Sequence, residues 1–262
     1  MRMIYVAACI AIATTISILA LAKAPADEAA SLLAPTGSLR VGVYPGSPLS
    51  IIQNSKSREI HGLSFDLGKE LAKRLGISFK DIRYQTLSEV LAAAKAGYVD
   101  FTITNATPAR AAELAFSQTL LSLESGYLVA PGSSLAVISD LNKPGIRVGV
   151  TKGSTSQQIL PKILTNASVV PVVNLKMAIQ MLTSRELDAF ATNKSILFSM
   201  ADQISGARVL GGRWGLEHIA VAIPKDRGGM EFIRRFVADV QSSGLLAEAE
   251  QRAGLRGVAK SE

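Results

Sequence analysis

The sequence predicts an α/β fold built as two similar lobes, each a mostly parallel sheet flanked by helices. Three observations carry that expectation. Segments with the two-residue period of a strand alternate with segments of helical spacing along the chain, the pattern of parallel strands joined by crossover helices. Arg40-Val41-Gly42-Val43-Tyr44-Pro45-Gly46-Ser47 recurs as Arg147-Val148-Gly149-Val150-Thr151-Lys152-Gly153-Ser154. More loosely, Leu87 to Asn105 recurs as Leu175 to Asn193, with Asp100 matching Asp188, Thr104 matching Thr192 and Asn105 matching Asn193. The repeat is too long for a solenoid and fits two βα lobes. Ligands of such sheets bind beyond the carboxyl ends of the strands. Both echoes end there in polar residues, so two polar strand ends are expected to face each other across a cleft.

The two ends bound the mature chain. Arg2 is the only charge before Lys23, Ile4 to Leu21 is apolar apart from Thr14, Thr15 and Ser17, and Ala20-Leu21-Ala22 is a small-x-small cleavage site. Residues 1–22 therefore read as a signal peptide, with a second cleavage site as late as Ala26. A membrane anchor is the competing reading, but the run is marginal in length and small residues, not basic ones, follow it. Cys9 is the one cysteine and leaves with the signal, so the mature, exported protein is expected without thiol or disulfide. Residues 23–37 show no pattern and read as a disordered lead-in. Hydrophobic residues make up 48% and aromatics 5% of the 262, which implies a substantial, mainly aliphatic core. The net charge is +7, but Lys and Arg are scattered without interleaved aromatics, so no nucleic-acid partner is expected.

Leu39 to Val43 reads as the first strand, broken by Pro45-Gly46-Ser47-Pro48, and Gln53 to Glu59 as a polar surface loop. Gly62 to Leu67 opens a helix with a Leu67, Leu71, Leu75 stripe that ends at Gly76. Thr86-Leu87-Ser88-Glu89 is a capping box, and Leu87, Val90, Leu91 and Ala94 form the buried face behind it. Val99 to Thr104 alternates as a strand and runs into a helix start at Thr107-Pro108. Further strands are expected at 127–130, 146–150, 187–192 and 217–223, and helices after Ser154, over 175–182, and as one amphipathic C-terminal helix over 231–246.

Arg110 sits in the first turn after Thr107, where a cation opposes the helix dipole. An anionic ligand would compensate it; so would an ion pair with Glu113, three residues along. Ser154 and Thr155 stand at a helix start and suit either a plain N-cap or the binding of a carboxylate, and the two roles are compatible. Catalytic signatures are lacking: there is no G-x-S-x-G, no H-E-x-x-H and no cysteine nucleophile. His61 and His218, the only histidines, have no helix-spaced partners, so neither metal nor cofactor is expected.

Gly97-Tyr98-Val99-Asp100, Thr107-Pro108-Ala109-Arg110 and Phe116-Ser117 together resemble the G-x-V-D, T-x-x-R and F-S run of bacterial extracellular solute-binding proteins, family 3, the polar amino acid receptors of ABC importers. Gly62-x-x-Phe65-Asp66-Leu67 resembles that family's G-F-D-x-D-L helix start, with Asp66 structural. Val148-Gly149-Val150 with Gly153-Ser154-Thr155 resembles its second-lobe carboxylate-holding element, and Leu187-Asp188-Ala189 its I-D-A strand. The resemblance spans about 38–255. It implies the two-lobed periplasmic-binding-protein fold of type II, with lobe one at 38–121 and 220–258, lobe two at 122–219, a tail at 259–262 and a hinge between the lobes. It also implies a monomer that takes a small polar carboxylate and delivers it to an inner-membrane permease.

On that resemblance Arg110 clamps the carboxylate, and Thr102, Asn105, Thr107, Ser154 and Thr155 supply hydrogen bonds. Tyr44 is the nearest candidate for an aromatic cover. Asn193 stands where the family places an acid for the ligand's ammonium. From the echo, which puts Thr-Asn at the end of equivalent strands, Asn105 and Asn193 are expected to face each other across the cleft and to disfavour cationic amino acids such as lysine; the alternative is that both cap the turns after their strands. The reading from another class is an enzyme on the same scaffold, like cyclohexadienyl or arogenate dehydratases, for which Glu217 or Glu124 would be the general acid.

Overall fold

The computed structural model describes residues 25–53 and 58–259. The export segment read at 1–22, with Cys9, lies outside the described residues, as do 54–57 of the expected surface loop and 260–262 of the tail. Among the described residues no helix is long and apolar enough to cross a membrane.

The first half of the chain runs α1 (Pro25–Leu33), β1 (Ser38–Val43), β2 (Ile52–Gln53), β3 (Ile60–His61), α2 (Leu63–Arg74), β4 (Ser78–Arg83), α3 (Leu87–Lys95), β5 (Thr102–Asn105), α4 (Pro108–Ala111), β6 (Leu114–Phe116) and β7 (Leu121–Val129). The second half adds β8 (Arg147–Thr151), α5 (Thr155–Ile163), β9 (Ser168–Val172), α6 (Leu175–Thr183), β10 (Ala189–Asn193), α7 (Lys194–Ala201), β11 (Arg208–Val209), β12 (Gly215–Pro224), α8 (Met230–Ser242) and α9 (Leu245–Arg252). Thr86 closes the capping box expected for α3, with both reciprocal hydrogen bonds to Glu89 in place. Thr107, Ser154, Asn174 and Asn193 cap α4, α5, α6 and α7 with a single bond, each side chain accepting a backbone N–H.

The strands sort into two lobes. In lobe one β1 pairs parallel with β4. Phe101, just ahead of β5, bridges to Val41 of β1, and β5 pairs antiparallel with β12. Val41, Leu67, Leu71, Phe101, Phe236 and Val237 belong to its core. In lobe two β8 pairs parallel with β9 and with β10, and β10 pairs antiparallel with β7. One face of that sheet buries Leu182, Phe190 and Leu197, and the other buries Tyr127, Val148 and Leu160. β7 and β12 pair antiparallel from Leu121↔Ile219 to Ser125↔Gly215 and carry the chain between the lobes.

The internal echo has a physical counterpart in each lobe. The Arg40 backbone N–H and Nε donate to Asp100 Oδ2 at 2.9 and 2.8 Å. The Arg147 N–H and Nε donate to Asp188 Oδ2 at 2.8 and 3.0 Å. The two echoed aspartates thus fasten the first strand of each lobe to the strand that enters the cleft. Asp100 is fully buried and is also paired with Arg227.

Two expectations need correction. Within the expected lead-in at 23–37, residues 25–37 are not patternless: Asp27 and Glu28 favour the first turn of α1, and Ala29, Ala30 and Leu33 form one face packed into the lobe-one core. The single C-terminal helix is two, because Gly244 takes φ +83° and breaks it between α8 and α9. Beyond α9 the tail crosses towards lobe two. Val258 bridges to Leu123, the Ala259 N–H donates to the Ser122 carbonyl at 2.9 Å, and Arg256 lies over Phe198 and pairs with Asp202 beside α7.

Candidate functional site

The carboxyl ends of β5, β8 and β10 meet the hinge strand β12 around a cavity of about 40 Å³. β5 contributes Thr104 and Asn105, α4 contributes Arg110, and the loop after β1 contributes Tyr44. Ser154 and Thr155 come from the start of α5, Asn193 from the end of β10, and Glu217 from β12. Leu49, Leu87, Leu175 and Ile196 give it apolar walls.

Arg110 is held by two bonds from Nη1, to Thr104 Oγ1 at 2.8 Å and to the Asn105 carbonyl at 3.1 Å. Both partners are neutral. Glu113, the alternative ion-pair partner, instead reaches Lys95 Nζ at 2.6 Å, and among the described residues no carboxylate lies within ion-pair distance of Arg110. Burial pulls the guanidinium below its ordinary pKa, and Glu217 and Tyr44 oppose that shift. Burial pushes the Tyr44 phenol up.

The two echoed asparagines are both committed. Asn193 Oδ1 accepts the Ile196 N–H at 3.2 Å as the cap of α7, which turns Nδ2 towards Glu217 Oε2, 3.2 Å away. Asn105 Oδ1 accepts the His218 N–H at 3.0 Å, and its Nδ2 reaches across the cleft to Thr155 Oγ1 at 3.3 Å. Asn105 therefore faces Thr155, not Asn193, and the capping alternative holds for Asn193. Glu217 is buried and bonded to Asn193. Burial pushes its carboxyl above the ordinary range, with Arg110 and Asn193 acting against that.

Of the eight residues expected at the site, Arg110, Asn105, Ser154, Thr155, Asn193 and Tyr44 line the cavity. Thr102 does not: its hydroxyl donates to the Gly42 carbonyl at 3.1 Å and ties β5 to β1. Thr107 is spent as the cap of α4, accepting the Arg110 N–H at 3.2 Å. Glu124 points elsewhere and pairs with Lys194 at 2.6 Å. His61 lies beside Asp66, and His218 Nδ1 is 3.3 Å from Ser122 Oγ; among the described residues no three ligating side chains gather for a metal.

The cleft is polar, and among the described residues its one arginine has no acidic partner within ion-pair distance. The family model of the bacterial extracellular solute-binding proteins, family 3, matches residues 39–254. The chain belongs to that family. The ABC transporter glutamine-binding protein GlnH of Bacillus subtilis (strain 168) is 29% identical over 194 residues, covering 72% of this chain and 70% of GlnH. An ancestral arginine-binding protein bound to arginine superposes with TM-score 0.73 at 25% identity, covering 82% of this chain and 97% of that one. The solute receptor for L-cysteine of Neisseria gonorrhoeae, at 18% identity, shares the fold with TM-score 0.76 over 88% of this chain and 99% of its own.

In this solute-binding protein Thr104, Thr151, Thr192 and Glu217 are polar cleft residues that sequence reasoning did not assign to ligand binding. Thr104 was marked by the echo as the partner of Thr192, and both line the cavity. Glu217 carried only the mark of an acid near a hinge.

Proposed function

We propose that this protein is the periplasmic receptor of an ABC importer and that it captures an amino acid or a closely related small carboxylate between its lobes. The observation that carries the reading is Arg110: a half-buried guanidinium aimed into a closed cleft, positioned by neutral groups and lacking an acidic partner among the described residues. A carboxylate can take its free edge through paired N–H donors. Ser154 and Thr155 at the start of α5 offer a second set of donors from the other lobe. Contacts from both lobes stabilise the closed state, and a permease that reads closure receives the loaded protein. A relative named as an ABC transporter glutamine-binding protein supports both the importer and the amino-acid ligand. The protein works as a monomer, reaches the periplasm through the signal at 1–22, and does no chemistry on its ligand.

Calorimetric titration of Arg110→Ala against wild type with the standard L-amino acids tests the reading. Losing a charged partner from a desolvated cleft costs about 2–5 kcal/mol, so affinity falls at least about 30-fold. Unchanged affinity overturns the assignment.

A further inference from the structure

The cleft holds a second isolated charge. Glu217 is 7% exposed, and among the described residues no lysine, arginine or histidine lies within ion-pair distance of it. It faces the same cavity as Arg110, yet the two do not pair. A carboxylate that served only to tie β12 to α7 could be replaced by a neutral amide, which would make the same bond to Asn193 without the cost of burying a charge. Asn193 is fixed by its cap to Ile196, so its Nδ2 aims the carboxylate and cannot itself accept from a ligand. Arg110 and Glu217 are also the two charged side chains among the described residues lining the cavity.

Resting on the receptor reading above, we infer that Glu217, aimed by Asn193, accepts the ligand's ammonium group, so that the cleft takes a zwitterionic α-amino acid with an uncharged side chain. Arg110 then holds the carboxylate end and Glu217 the ammonium end. The cation acceptor that position 193 does not provide enters from β12 instead. The cleft carries one positive and one negative group, so a neutral zwitterion leaves both compensated. A lysine or glutamate side chain would bring a charge with no partner. The apolar walls of Leu49, Leu87 and Ile196 suit the stem of such a ligand.

The experiment uses full-length mature protein, stripped of ligand by unfolding and refolding. It is titrated with the standard L-amino acids and with the des-amino acid of the tightest binder. The expected result is a neutral amino acid bound at least about tenfold more tightly than lysine or glutamate, and at least about tenfold more tightly than its own des-amino analogue. Glu217→Gln should collapse that second ratio to within about threefold by weakening the amino acid and not the des-amino acid; a merely structural role would weaken both ligands together. Asn193→Ala should lower the ratio by less. Wild type that binds both equally, a best binder with a charged side chain, or a ratio that survives Glu217→Gln overturns the inference while the carboxylate reading of Arg110 stands. Because the wild-type ratios decide by themselves, the inference stays falsifiable even if the variant fails to fold. Affinity unchanged by Arg110→Ala overturns the carboxylate assignment of Arg110, and binding of none of these probes by wild type overturns both readings.

Discussion

Ser88 Oγ donates to the Lys152 carbonyl at 3.1 Å, and through that bond the start of α3 in lobe one meets the loop ahead of α5 in lobe two. Neither residue lines the cavity, so the contact belongs to closure and not to ligand recognition. Removing the hydroxyl should favour the open state. A hydrogen bond of this kind contributes about 0.5–1.5 kcal/mol, so Ser88→Ala should weaken ligand binding about two- to tenfold in calorimetry. Gly153, at φ +76°, would place a Cβ 2.2 Å from Ser88 Oγ. Gly153→Ala should weaken binding through both the strained backbone and that clash. In the Ser88→Ala background part of the loss should vanish, which a double-mutant cycle reads directly.

Arg110 contributes to binding and not to folding. Its Glu113 neighbour is engaged with Lys95, and the guanidinium is partly desolvated without an acidic partner. Ligand-free Arg110→Met should melt at or above the wild-type temperature, while added amino acid should raise the melting point of wild type alone. A ligand-free variant that melts well below wild type would show that Arg110 serves the fold.

The two fastening aspartates should differ in strength because they differ in burial. Asp100 is fully buried between Arg40 and Arg227, so Asp100→Asn leaves two guanidiniums without their counter-charge and should cost about 3–5 kcal/mol. The Asp188 side chain is 29% exposed and, among the described residues, pairs with Arg147 alone, so Asp188→Asn should cost about 1 kcal/mol or less. Urea denaturation of the two variants compares them.

Glu217 should destabilise the ligand-free protein in a pH-dependent way. Burial raises its carboxyl, so the folded state holds the proton more tightly than the unfolded chain does. Stability therefore falls as pH rises from the ordinary glutamate value of about 4.3 through the raised one. Ligand-free Glu217→Gln should melt above wild type at pH 7.5, and the gap should close as the pH is lowered towards 4. A gap that widens on acidification would mean that the native carboxylate is stabilised.

Much of this was legible in the sequence because local chemistry repeats. The echo of Arg40–Ser47 at Arg147–Ser154 marks the same strand and turn in both lobes, and the caps Thr86, Thr107 and Ser154 mark the helices that follow. What was missed lacks a local signature. β4 has no fully buried residue, and β9 carries Pro171 at an outer edge, so neither shows a clean apolar alternation. Glu217 reaches the cleft only because β12 pairs with β7 in a register that sets it opposite Leu123, a relationship between distant segments. Thr102 and Thr104 share a strand and a residue type, and only the neighbouring β1 backbone decides that the first donates to Gly42 and the second receives Arg110.

The split of lobe one has a consequence for how the molecule is made. Its core joins Val41 and Phe101 from early in the chain to Phe236, Val237 and Ala249 from near its end, whereas lobe two is drawn from one uninterrupted stretch. As a chain threads outward from its N-terminus, lobe two can close while α8 and α9 are still to come. The sheet of β1, β4 and β5 must wait with its apolar face open until they arrive. During that interval it is the surface a holding chaperone would cover, and destabilising changes in α8 would lower yield before they touched affinity.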